Sequence, residues 1–256
     1  MSATVLAAND IVKTFGNFTA LDHVGFELGR GKVLGVVGES GSGKSTLGRI
    51  VMRLLTPDSG TVSLAGQDLF GLSRRDLRKA RRRIQLVPQD PRTSLNPTMT
   101  VRQNLYFQLR AQGVARVDWA ATSTRLLAQV SLTADYLHAY PHELSGGQAQ
   151  RIAIARSIAN NPDVLVCDEA VSALDKSVQA QVLNTFAQLQ ADTGIAMFFI
   201  THDLAVIEHI ADDVLVLDRG RAVEQGVTKE VLATPQDAYT RELLAARPLI
   251  APVTSR

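Results

Sequence analysis

The 256-residue chain has 45% apolar and 20% charged residues and a formal net charge of +2, the balance of a soluble globular protein with a sizeable core. Basic and acidic residues are mixed along it, so nothing calls for nucleic acid or an anionic membrane as partner. No apolar run reaches the roughly 20 residues that span a bilayer, the amino terminus lacks a signal peptide's basic region, and the single cysteine, Cys167, excludes an internal disulfide; a cytoplasmic chain is expected.

Residues Val5 to Glu27 alternate loosely about a Phe15-Gly16 turn and predict two antiparallel strands. Phe15 reads equally as core or as an adenine platform, because an aromatic shortly before a phosphate loop can stack on a base. Val33–Val37 predicts a buried strand, and Lys44 to Leu55 has helical spacing in Leu47, Ile50, Val51 and Leu54. Between them, Gly38-Glu39-Ser40-Gly41-Ser42-Gly43-Lys44-Ser45-Thr46 fits G-x-x-x-x-G-K-[ST]. Strand, glycine-rich turn and helix start together make a phosphate cradle. Gly38, Gly41 and Gly43 let successive N–H groups point inward, and the helix N-terminus adds roughly half a positive charge. Lys44 is expected to reach the β- and γ-phosphates and the Ser45 hydroxyl to hold Mg²⁺.

Pro57 to Gly60 reads as a turn, Thr61–Leu64 as a short strand, and Ser73 to Arg82 as a charged helix capped by Ser73. The basic run Arg78–Arg83 reads as a solvated helix end. Ile84–Val87 predicts a buried strand stopped by Pro88, which leaves Gln89 at a strand end before a restricted loop, Asp90 to Pro97. From Thr100 to Val130 the pattern turns helical without intervening strands, an insertion into an α/β domain. It closes with Leu144-Ser145-Gly146-Gly147-Gln148 and an apolar helix, Ile152 to Ala159. This is a second glycine-rich helix start with a hydroxyl at the cap, hence a second phosphate-binding surface. Having no lysine or metal ligand, it must complete another site.

Alternation then resumes: strand Val164–Asp168, helix Val178–Leu189, strand Ile195–Thr201, edge strands Val214–Leu217 and Arg221–Glu224, and a tail helix Asp237–Ala246. Asp168 and Glu169 end an apolar strand, where acids meet a nucleotide's metal in an open α/β sheet. Asp168 would support Mg²⁺ and Glu169 would position or deprotonate the attacking water. His202, just after the next buried strand, is a candidate γ-phosphate sensor. Cys167 reads as a small buried filler.

The set Gly38–Thr46, Gln89, Leu144–Gln148, Val164–Glu169, Ser172-Ala173-Leu174-Asp175 and Thr201-His202-Asp203 resembles the ATP-binding subunit of an ABC transporter, in order from about Asp10 to Gly226. The resemblance implies an α/β fold: a P-loop (RecA-like) ATPase core with an antiparallel β subdomain and an inserted helical subdomain. The core with the tail would comprise 1–92 and 161–256, the helical signature subdomain 93–160. It also implies ATP and Mg²⁺, with Ser45, Gln89 and Asp168 as metal ligands and Lys44, Gln89, Glu169 and His202 as catalytic residues. Two subunits would pack head to tail, each ATP lying between one phosphate loop and the other subunit's Ser145–Gln148 turn. Phe15 would be the adenine platform, Gln89 the lever sensing γ-phosphate, and Asp175 the cross-dimer contact.

Gln89-Asp90-Pro91-Arg92-Thr93-Ser94-Leu95-Asn96-Pro97, the Asp168–Asp175 stretch with Gln179–Leu183, and Tyr239–Leu244 resemble the dipeptide/oligopeptide/nickel importer group. Ala170, Ala149 and Asp237-Ala238 depart from that group's pattern, and none is a phosphate ligand. The resemblance implies an ATPase powering uptake of a peptide or metal chelate, peripheral on the inner face of the cell membrane. It would act with transmembrane permease subunits and an extracytoplasmic solute-binding protein, without nucleic acid. The alternative is a non-transport ABC-type ATPase of repair, translation or regulation. Against it, no long coiled coil separates Gln89 from Ser145 and there is no tandem cassette.

Overall fold

The computed structural model describes residues 3–246. The chain opens with a long hairpin, β1 (Thr4–Phe15) and β2 (Phe18–Gly29), followed by β3 (Val33–Val37), buried at every residue, and α1 (Lys44–Val51). β4 (Ser59–Leu64) and β5 (Gln67–Asp68) return to the hairpin, giving a four-stranded antiparallel sheet of order β2-β1-β4-β5. α2 (Arg74–Arg83) is capped by Ser73, whose hydroxyl accepts from the Asp76 N–H, and leads into β6 (Ile84–Val87). Only helices follow: α3 (Pro91–Ser94), α4 (Val101–Gln112), α5 (Trp119–Gln129) and α6 (Gly146–Ile158). Then come β7 (Val164–Asp168), α7 (Lys176–Thr193), β8 (Ala196–Ile200), α8 (Leu204–Ile210), β9 (Asp213–Asp218), β10 (Arg221–Val227), α9 (Thr228–Ala233) and α10 (Ala238–Ala245).

The second sheet has the order β10-β9-β3-β8-β7-β6, parallel except for β10. Its strands read as continuous apolar runs because both faces are covered. Period-two alternation splits them: Leu165, Cys167, Met197 and Phe199 face the helices, while Val166, Phe198 and Ile200 face α1 and the antiparallel sheet. Phe26 packs at a tilt against Phe198, 4.9 Å between ring centroids, and joins the two sheets. Cys167 is wholly buried, and burial with the adjacent Asp168 charge pushes its thiol well up, as fits an inert filler.

Several expected elements are corrected. The first helix ends at Val51, not Leu55: Arg53 adopts a left-handed φ of 57°, the Leu54 N–H turns back to the Arg49 carbonyl, and Leu54 is 62% exposed. Ile84–Val87 forms the outer strand of its sheet, with Leu86 exposed, and β9, expected at an edge, lies inside between β3 and β10. The Asp90–Pro97 loop contains the short α3, capped by the Asp90 carboxylate. α6 runs from Gly146 with Ser145 at its cap, as the glycine-rich helix start predicted, so it opens ahead of the apolar stretch Ile152 to Ala159, and α7 extends from Lys176 to Thr193. In each of these two cases a side-chain cap fixes the start, upstream of the apolar periodicity.

Candidate functional site

Register builds the site. Val36 of β3 and Asp168 of β7 both pair with Ile200 of β8. The three strands therefore end along one edge and release the Gly38–Thr46 loop, Glu169 and His202 side by side.

The loop backbone fits only glycine at two points. Gly38 has φ +150°, and a Cβ there would lie 2.1 Å from the Leu217 carbonyl oxygen; Gly43 has φ +105°, with the Ala20 carbonyl at 2.5 Å from such a Cβ. Gly43 precedes α1 without any side-chain cap, and no acidic residue occupies the first turn. The opening N–H groups and the positive helix end are thus free for an anion. Lys44, 5% exposed, donates from Nζ to the Gly38 carbonyl at 2.8 Å and the Glu39 carbonyl at 2.7 Å. Its ammonium sits at the loop's centre instead of extending outward. Burial pulls its amine below the usual lysine value, opposed by the Glu169, Asp168 and Glu39 carboxylates.

Asp168 is half-buried. Burial and the Glu169 charge raise its carboxyl, opposed by Arg49, Lys44 and the Ser45 hydroxyl hydrogen-bonded to it. A hydroxyl and a carboxylate in hydrogen-bond contact are hard oxygen donors that suit a small divalent cation. The Gln89 amide nitrogen donates to Glu169 Oε2 at 3.4 Å and to Ser172 Oγ at 3.3 Å. Its amide oxygen is left unused by the described residues. Glu169 has a left-handed φ of 48°, its N–H bonds the Ile200 carbonyl, and its Oε1 lies 3.3 Å from His202 Nδ1. Gly38, Glu39, Ser40, Lys44, Glu169, His202 and Leu243 line one cleft of about 500 Å³. Ser172, whose hydroxyl bridges Gln89 and the Glu169 carbonyl, is a site contact the sequence reading missed, although it stands within a quoted motif. Among the described residues, no three His, Cys, Asp or Glu cluster as a metal site.

Phe15 is 50% exposed and belongs to neither apolar cluster, which removes the core reading. The hairpin that carries it reaches the loop through Ala20 and Leu21 beside Gly43, and Lys13 Nζ stands 5.5 Å from its ring centroid.

Ser145 and Gln148 form a reciprocal cap on α6: Ser145 Oγ accepts from the Gln148 N–H at 3.3 Å, and Gln148 Oε1 accepts from the Ser145 N–H at 2.9 Å. None of Ser145, Gly146, Gly147 and Gln148 lines the cleft of Lys44 and Glu169. The turn instead packs on α7, where a Cβ at Gly147 would meet Val178 Cγ1 at 2.4 Å. Asp175 caps that helix, accepting from the Ser177 and Val178 N–H groups at 3.1 and 2.9 Å, and these bonds hold its carboxyl low. From α6, Gln150 donates to the Pro88 carbonyl, Ser157 to Leu86 and Arg156 to Ser94. The signature helix thus grips the segment that carries Gln89.

Comparison with known proteins gives a consistent result. Residues 21–172 match the family model described as ABC transporter. A putative peptide import ATP-binding protein of Brucella ovis is 48% identical over 229 residues, 89% of this chain and 72% of that one. CbiO1 from Clostridium perfringens, part of the ABC transporter complex cbiONQ, superposes with a TM-score of 0.84 at 27% identity, covering 91% of this chain and 92% of that one. The dimeric structure of a post-hydrolysis state of the ATP-binding cassette MJ0796 bound to ADP and Pi has a TM-score of 0.75 at 27% identity, over 87% of this chain and 98% of that one.

Proposed function

The chain belongs to the ABC transporter family, and from that premise we propose that it is the ATP-hydrolysing subunit of a peptide importer, working as one half of a composite dimer. The single observation that carries the composite reading is the position of the Ser145–Gln148 turn. It is a helix N-terminus suited to phosphate, yet outside the cleft of Lys44, Glu169 and His202. A second cassette presenting its own turn across that cleft would complete the site. The dimeric cassette with ADP and Pi supports this arrangement, and the Brucella relative's name supports a peptide-like solute.

Within this reading the α1 N-terminus and the Lys44 ammonium receive the β- and γ-phosphates, and Phe15 stacks on adenine. Glu169 accepts a proton from the attacking water or orients it, and His202 and Gln89 hold the Glu169 carboxylate in place while reporting on the γ-phosphate. Ser45, Asp168 and the Gln89 amide oxygen would hold Mg²⁺. The bound ion would offset charge on the transferred phosphoryl group. On this reading residues 93–160 are the helical subdomain and 1–92 with 161–256 the core and tail, of which 1–2 and 247–256 lie outside the described residues. No helix among the described residues is long and apolar enough to cross a membrane. On this reading the subunit docks under separate permease subunits at the inner membrane face, and a solute-binding protein delivers cargo outside.

The test mixes two inactive variants. Lys44→Ala removes the phosphate loop's cation. Ser145→Asp keeps a good N-cap and so keeps α6, while placing a carboxylate where γ-phosphate must approach. In a mixed dimer one interface carries both lesions and the other neither, so partial ATPase returns on mixing. If each variant is active when paired with wild type but the two together show none, the shared site is refuted.

A further inference from the structure

The α10 helix is remote in sequence from every phosphate-binding motif, yet it forms part of the nucleotide site's wall. The Tyr239 hydroxyl accepts a hydrogen bond from the Glu39 backbone N–H at 2.8 Å. One turn later, on the same face, Leu243 lines the cleft with Lys44, Glu169 and His202. On the loop's other flank, Tyr239 lines a second cleft with Ser40, Gly41 and Ser42.

The peptide unit between Gly38 and Glu39 is the object held. Its carbonyl, on Gly38, accepts from Lys44 Nζ at 2.8 Å, and its N–H, on Glu39, donates to Tyr239. Lysine and tyrosine therefore grip one peptide plane from opposite sides. Gly38 lacks the Cβ that would restrict rotation of that plane. Without Tyr239 the N–H has no other partner among the described residues, and a flip would turn the Gly38 carbonyl away from Lys44. The helix that delivers Tyr239 is itself fixed. Asp237 caps it by accepting from the Tyr239 N–H at 2.8 Å, and the Glu224 carboxylate of β10 accepts from the Gln236 and Asp237 N–H groups at 2.8 and 3.2 Å. Burial raises the phenol further above its ordinary value, so its hydroxyl is neutral around neutral pH.

We propose that Tyr239 is a positioning residue of the ATP site: its hydroxyl fixes the Gly38–Glu39 peptide and, through it, the Lys44 ammonium. The proposal rests on the reading of Gly38–Thr46 as the phosphate-binding loop.

Tyr239→Phe removes one oxygen and keeps the ring. The Kd and KM for ATP should rise roughly threefold to tenfold, the loss of one hydrogen bond, with kcat held within about twofold. The melting temperature without nucleotide should hold, and hydrogen exchange should quicken at the Glu39 amide while β3 amides keep their protection. Unchanged affinity and unchanged Glu39 exchange overturn the proposal. So does weaker binding accompanied by a lower melting temperature and faster exchange throughout β3, which would make Tyr239 a packing residue only. Lys44→Ala, measured alongside, separates the two readings. If it loses ATP binding while Tyr239→Phe binds normally, only the role of Tyr239 falls. If both bind ATP like wild type, the phosphate-loop reading falls with it.

Discussion

Gly147 offers a sharp test of what holds the signature turn in place. In an exposed first helical turn, Gly147→Ala should stabilise α6 by up to about 1 kcal/mol, since alanine loses less backbone entropy. Here the sign reverses. The new Cβ would sit 2.4 Å from Val178 Cγ1, more than an ångström inside the roughly 3.5–4.0 Å optimum for carbon pairs. Val178 is β-branched and lies within α7, so its χ1 has essentially one rotamer and cannot swing clear. Overpacking of this kind costs about 1–3 kcal/mol, or a melting temperature lowered by about 2–4 °C per kcal/mol in a chain of this size. Val178→Ala removes the clashing methyl. The pair should therefore be coupled: Gly147→Ala/Val178→Ala should lose about 1–2 kcal/mol less stability than the sum of the two single-variant losses. ATPase should fall in Gly147→Ala and recover in the double variant, because the displaced turn returns to its seat. Thermal or urea melts of all four proteins measure the cycle. Additivity within about 0.5 kcal/mol would refute the packing argument.

Three further outcomes follow from the site and its supports. If Glu169 serves as the proposed base, Glu169→Gln keeps the shape but removes it, so phosphate release should drop by about 10²–10⁴-fold with ATP affinity retained; near-normal turnover would remove Glu169 from its role. Phe15→Ala should weaken ATP binding by roughly 0.5–1.5 kcal/mol while Phe15→Trp preserves it, and because the ring is half exposed the melting temperature should barely move. Asp58 accepts from Lys13 Nζ, the Thr14 N–H and the Thr14 hydroxyl, which hold its carboxyl at about 2. That folded value is depressed, so its stabilisation is present above the unfolded value near ~4 and is lost as pH falls through the folded one. Wild type should melt above Asp58→Asn at neutral pH and converge with it towards pH ~2; a gap independent of pH would contradict this.

The sequence alone determined the features that depend on local chemistry. Glycines followed by Lys44-Ser45 after an apolar run specify a strand, a glycine-rich turn and a helix start, whatever surrounds them. Apolar runs at Val164–Asp168 and Ile195–Thr201 likewise specify strands covered on both faces. Tertiary structure decided what depends on neighbours. Periodicity could not reveal that β9 is interior and β6 outermost, because strand order is set by crossovers and not by composition. Phe15 remained ambiguous until packing left its ring in solvent. Ser145 was legible as a cap, but Asp175, read as a cross-dimer contact, first satisfies the N–H groups that open α7. The reach of Tyr239 to Glu39 was invisible for the plainest reason: one hydrogen bond joins residues 200 positions apart, and only the folded path of the chain brings such groups together.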